Sequence, residues 1–513
     1  MEAAPDRAHL VVRHKTLLTG AVMLGVLIQV LDSTIANVAL PHMEASLGAT
    51  HESITWVLTS YIIASAMALP LSGWLASAFG KRRLFLLSIT LFVAASMLCG
   101  AAATLPLMVA ARIAQGVGGA FLGPLGQMVM LDVNRPSDHG KAMALYGMGI
   151  MVGPVLGPVL GGWLTENLNW RWVFYINVPL GLVAFAGIWA LLPGSRDKPR
   201  RIDLAGWALI AVALGAFQLM LDRGDHVDWF NSAESWIEAG IAASAFWMFA
   251  VHNFMVRLPL FPMAVLRDRN LMVSATLLFV LALVQLSNMA LLPSMLQLLY
   301  GYPVLTTGLL LASRGLAVMF SMWLAGRIIH LLDSRLLIGL GMVLMDLSLW
   351  KMSGWTADMD WYPVVINGLI QGLGMGFIFV PLSVVAFATV PPAYRPDATG
   401  LYNLFRNTGG SVGIAVATAV LARNSQVSHA DLAAHVTPYN LAVDPTLLTA
   451  AGNAGEGVME IVNGVVTAQA AMIAYLDDFH MMMLASIAAL PLLLLLRRNP
   501  GGRDAKAIAA ALE

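Results

Sequence analysis

Asp32, Arg112, Arg314, Asp346 and Arg406 are ionisable side chains embedded in long apolar runs. A charge in such surroundings costs several kcal/mol, so residues of this kind pair, face water or exchange protons. Asp32, within LIQVLDSTIANVALP, is the leading candidate for proton chemistry, because a carboxyl group can sit charged beside a cation or neutral once protonated. The alternative is a structural acid held by a neighbouring arginine or hydroxyl. Arg112 is its natural counter-charge if their two segments face one interior. Protonating Asp32 would then weaken the pair and bias a two-state equilibrium. Each proton crossing 100 mV supplies ~2.3 kcal/mol, enough to shift two states that differ by a similar amount. Arg314, in ASRGL, either lines a substrate cavity and favours anionic or polar groups, or pairs with Asp346. Asp346 is a second candidate for protonation. Gln29 and Gln115 join Arg314 and Asp346 as candidate cavity lining. Arg406, in YNLFRNTGGSVG, lies near the end of its segment, where a long side chain reaches the interface and serves structure.

The elements that position these residues are membrane spans. The chain has 513 residues, of which 58% are hydrophobic and 11% charged. A soluble domain carries about 25% charged residues, so this is a polytopic membrane protein. A net charge of +0 gives no reason to expect a nucleic-acid partner. The single cysteine, Cys99, excludes an intramolecular disulfide. No metal-ligand cluster, phosphate loop or nucleophile–base constellation stands out, so neither a cofactor nor an enzyme is expected. Arg7, Arg13 and Lys15 precede an apolar run as in a signal peptide, but the run continues to Leu40 without a small-residue cleavage site.

A span needs about 20 mostly apolar residues. Fourteen are expected, at roughly 17–40, 53–76, 84–103, 106–131, 141–164, 171–192, 203–222, 237–256, 272–293, 306–326, 336–354, 362–387, 397–422 and 480–497. With the N-terminus inside, the outside segments hold only Arg171, Arg223, Lys351 and Arg423 of the 29 Lys and Arg, and Arg112, Arg314 and Arg406 fall within spans. The positive-inside rule therefore puts both termini in the cytoplasm. Residues 423–479 form one long external segment, with an apolar helical spacing around Met459, Ile461, Val462, Val465 and Val466. It reads as an amphipathic helix on the outer membrane surface, or as a docking surface for a partner outside the membrane.

The chain also repeats itself. Gln115, Gly116, Gly118 and Phe121 match Gln371, Gly372, Gly374 and Phe377 at one constant offset, and Leu145-Tyr146 matches Leu401-Tyr402 at the same offset. Span four thus pairs with span twelve, and five with thirteen. That pairing predicts two parallel six-helix halves, at 1–192 and 266–513, with two inserted helices at 193–265. In transporters with this layout, substrate binds near the midplane.

GMGIMVGPVLGPVLGGW (147–163) places Gly153-Pro154, Gly157-Pro158 and Gly161-Gly162 four residues apart, on one helix face. Glycines there admit a close neighbour, and prolines remove backbone donors. GWLASAFGKRRL (73–84), with Gly73, Gly80, Lys81, Arg82 and Arg83, joins spans two and three, and AGRIIHLLDSRLL (325–337) is its weaker second-half counterpart.

Together with LDSTIANVALP, TWVLTSYIIASA, RIAQG, WRWVFYINVPLG, RRIDLAGW and LDRGDHVDWF, these motifs resemble the fourteen-span drug:proton antiporters of the EmrB/QacA type in the major facilitator superfamily, the last of them the EmrB branch in particular. The resemblance implies an all-α major facilitator fold and efflux of hydrophobic or amphipathic compounds in exchange for protons. It implies a bacterial inner membrane, a periplasmic adaptor of the EmrA type and an outer-membrane channel of the TolC type. By the same resemblance, Asp32 and Arg112 belong to the proton pathway, and Gly153, Pro154, Gly157, Pro158 and Gly161 form the antiporter helix that limits leak. The loop at 73–84 resembles the superfamily's cytoplasmic latch, with Ser77 where an aspartate is usual. The alternatives are a proton-coupled symporter or uniporter for nutrients, a stand-alone exporter of one metabolite, siderophore or acid, and a non-transporting scaffold or sensor.

Overall fold

The structure, a computed structural model, describes residues 7–194, 202–436 and 455–497. Among the described residues every long element is helical. In chain order they are α1 (Lys15–Leu47), α2 (Glu52–Phe79), α3 (Lys81–Ala101), α4 (Leu105–Asp132), α5 (His139–Asn167), α6 (Trp172–Leu191) and α7 (Leu204–Arg223). They continue as α8 (Ala233–Met255), α9 (Arg269–Leu298), α10 (Val304–Ile328), α11 (Ser334–Met352), α12 (Trp361–Ala388), α13 (Arg395–Ala434) and α14 (Gly455–Ala489). Eleven helices are long and apolar enough to cross a membrane. The other three, α8, α11 and α13, carry charged or polar residues within their apolar runs, among them Glu238 and Asp346, both buried.

Proline shapes several of these helices without ending them. Pro70 sits in a 3-10 turn that interrupts α2, and α1, α5, α9 and α12 each carry proline inside.

The first six helices pack as a group: α1 lies against α5 and α6, while α2 and α3 flank α4. The last six repeat that arrangement, with α9 against α13, α10 and α11 against α12, and α13 against α14. α7 and α8 pair with each other, and α7 rests on α2. The two groups meet chiefly where α5 runs along α10 and where the Phe79 end of α2 meets the start of α13.

One expectation changes. The segment expected to be external, 423–479, is largely helix continuous with the spans beside it. α13 runs 40 residues to Ala434, and α14 starts at Gly455 rather than near 480. The stretch around Met459–Val466 therefore belongs to the first turns of α14 instead of lying flat. The two extensions are tied together, with Asn424 donating to Asp477 at 3.2 Å and His429 beside Asn463 at 3.0 Å. Polar sequence after 422 hid the continuity of α13, because a helix can continue on polar residues once its apolar stretch ends. Residues 437–454 lie outside the described residues.

Candidate functional site

Asp32 and Gln115 are fully buried, and Arg112 is 1% exposed. α1, α4 and α6 bring their side chains together. Arg112 Nη1 donates to Asp32 Oδ2 at 2.7 Å and to Gln115 Oε1 at 2.8 Å. Gln115 Nε2 and Asn177 Nδ2 both donate to Asp32 Oδ1, at 2.8 and 2.9 Å. Arg112 Nε donates to the Val57 carbonyl at 2.9 Å, and the guanidinium lies 4.3 Å from the Tyr61 ring centroid. Cys99 Sγ approaches Gln115 Oε1 at 3.5 Å. A buried ion pair is tolerated only when further hydrogen bonds satisfy it, and this one has them.

The arrangement has a chemical consequence. Three donors face Asp32, so its carboxylate acts only as acceptor. A proton arriving there would turn one oxygen into a donor and displace one of these partners. A proton there would thus disturb contacts that join α1 to α4 and α6. Asn177 and Tyr61 were not picked out from sequence; the one signal for Asn177 is a polar residue interrupting the apolar start of α6.

The Gly-Pro helix, α5, lies directly against α1 on either side of Asp32. A Cβ at Gly153 would fall 2.6 Å from Val30, and one at Gly157 would strike Thr34. Gly161 faces Ile35. On its other side α5 meets α10, where Gly315 faces Val155. Pro154 and Pro158 remain within the unbroken helix.

The 73–84 loop joins the two halves. Gly80 adopts φ 81°, a backbone suited to glycine, and turns the chain from α2 into α3. Lys81 pairs with Asp132 at the end of α4, and Asp132 also accepts from Arg395 Nη1 of α13 at 3.3 Å. Gly73 lets the α13 backbone at Asp397 approach so closely that a Cβ would fall 2.7 Å from it. Asn403 donates to Gln127 across the same boundary at 2.9 Å. Arg82 bonds the Trp189 carbonyl, and Arg83 is exposed. Ser77 only bonds back to the Gly73 carbonyl, 3.0 Å away. The acid that bridges the halves is thus Asp132, which the sequence reading passed over.

The remaining candidates are dispersed. Gln29 is half-buried and faces Gly123. Arg314 Nη1 donates to Asn288 Oδ1 at 2.7 Å and to Gln371 Oε1 at 3.1 Å. Asp346 is buried on α11, with the Ser486 hydroxyl of α14 beside its carboxyl. It is not the ion-pair partner of Arg314; it lies on α11 and Arg314 reaches toward α9 and α12. In the second-half counterpart loop, Asp333 caps α11 and Arg335 bonds the Leu496 carbonyl.

Comparison with known proteins places this architecture. Residues 22–414 match the Major Facilitator Superfamily. The chain is 35% identical over 428 residues to the multidrug export protein EmrB of Haemophilus influenzae, covering 83% of this chain and 84% of that one. It is 34% identical to EmrB of Escherichia coli K12, covering 83% of each. It is also 34% identical to the fatty acid resistance protein FarB of Neisseria gonorrhoeae, covering 89% of this chain and 91% of that one. Among solved structures, the human organic anion transporter MFSD10 matches with TM-score 0.59 at 15% identity, covering 92% of this chain and 99% of that one. The chain belongs to the major facilitator superfamily and, within it, to the EmrB type.

Proposed function

We propose that this protein exports hydrophobic or amphipathic compounds across a bacterial inner membrane in exchange for protons, by alternating access between its two halves. Asp32 is the proton carrier and Arg112 its counter-charge. The observation that carries this reading is the three-donor shell around Asp32, deep inside a membrane protein of the EmrB type. Protonation removes a partner from that shell, and α5, packed against α1 on one face and α10 on the other, transmits the change to the other half. The Asp132 bridge then holds one side closed while the other loads. The proton gradient supplies the energy, and no cofactor is needed. Both termini face the cytoplasm in this reading. The extensions of α13 and α14 favour a second component outside the membrane, so an adaptor of the EmrA type and a channel of the TolC type complete the assembly.

The test is efflux of a lipophilic cationic dye from vesicles carrying the purified protein under an imposed inward proton gradient. Wild type pumps and stops when the gradient is collapsed; Asp32→Asn does not pump. Uphill pumping by Asp32→Asn would move the coupling carboxylate elsewhere.

A further inference from the structure

Among the described residues, the second half holds a buried arginine that pairs with no acid. The repeat that aligns Gln115 with Gln371 also aligns Gln29 with Gln285 and Asp32 with Asn288. An amide therefore stands where the first half has its carboxylate. The partner of Arg112 in the repeat is Gly368, and beside it Arg314 enters from α10: a Cβ at Gly368 would fall 3.5 Å from Arg314 Cβ. The cation has been kept and the anion lost.

The hydrogen bonds make that vacancy specific. Arg314 is 9% exposed. Both bonds it makes among the described residues leave from Nη1, to the amide oxygens of Asn288 and Gln371. Those bonds fix the guanidinium plane and leave Nε and Nη2 without partners. Nε–H and Nη2–H form the planar edge that grips a carboxylate in two parallel bonds. Gln371 Nε2, a further buried donor beside it, also has no partner. No acid of the described residues pairs with Arg314. Met352 and Ala317 adjoin the cluster, with Asn288 Nδ2 3.6 Å from Met352 Sδ and Ala317 on the same α10 face that packs on Gly372. A charged head with an apolar body suits such a place.

We propose that Arg314, oriented by Asn288 and Gln371, is the receptor for the carboxylate of an anionic amphipathic substrate. This inference deepens the exporter reading by naming a substrate class. It is tested by binding, so that failure of dye transport and failure of this site remain distinguishable.

The full chain in detergent is titrated at pH 8 with dodecanoate, dodecanol and dodecyltrimethylammonium, which share one tail and differ in head charge. Wild type binds dodecanoate at least about 10-fold more tightly than dodecanol, the scale of a charge-assisted hydrogen bond. Arg314→Gln loses that preference. Asn288→Asp supplies an internal carboxylate, occupies the arginine and also abolishes the preference, in a protein that keeps every charge it had. Thermal unfolding of both variants confirms that they are folded. Equal binding of acid and alcohol by wild type overturns the proposal, as does a dodecanoate preference that survives in both variants. Displacement of dodecanoate by millimolar chloride overturns it too, because a monatomic ion has no use for a planar fork.

Discussion

Arg395 of α13 donates to Asp132 of α4 at 3.3 Å, a bond that crosses from the second half of the chain to the first. Asp132 is 1% exposed and also holds Lys81. Removing one partner of such a buried network leaves charge uncompensated.

Asp132→Asn should therefore loosen this boundary. Hydrogen exchange at residues 72–80 and 395–403 should accelerate, while the interior of α12 stays protected. Arg395→Gln should do the same, and the double variant should add little, because both act on one network. Unchanged exchange in both single variants would remove Asp132 from the closure.

The Asp32–Arg112 pair should respond unequally to its two deletions. Arg112→Gln leaves a carboxyl that can neutralise itself by taking up a proton, whereas Asp32→Asn leaves a guanidinium that cannot lose its charge. Breaking a buried pair costs about 3–5 kcal/mol, and Asp32→Asn should lie at the upper end of that range. Denaturation of the two variants in the same detergent checks the order.

The α5–α1 contact leaves no room for side chains. Gly153→Leu should abolish transport in protein that still reaches the membrane, since its Cβ alone would fall 2.6 Å from Val30. Pro154→Ala changes only the helix's own backbone bonding and should retain more activity. Quantified dye efflux per unit of inserted protein separates the two.

Asp346 offers a stability test. Burying a carboxyl beside a single serine hydroxyl is costly, so Asp346→Leu should raise the unfolding temperature by a few degrees. If that variant also stops pumping, the acid is retained for function; if pumping is intact, it is dispensable.

Charge inside apolar runs made Asp32, Arg112, Arg314 and Asp346 legible in the sequence, because hydrocarbon penalises them so heavily. Asp132 was not legible. It lies at a helix end near the interface, where an acid is unremarkable, and its partner Arg395 is distant in sequence. Asn177 was hidden for a similar reason, since one amide in an apolar helix has many explanations. The Arg314–Asp346 pairing failed because span membership fixes neither helix rotation nor neighbours. Hydropathy located the long helices yet missed how far α13 and α14 continue, since it measures solvent preference and not backbone continuity.

α13 is one helix of 40 residues with no proline in its interior, gripped at its first turn through Arg395 and bonded toward its far end through Asn424 and His429 to α14. At 1.5 Å per residue it is about 60 Å long. Such a rod is a lever. A tilt of about 5° at the gripped end would carry the far end through about 5 Å over that length. A small movement at the gripped end is thus delivered, magnified, to the tip.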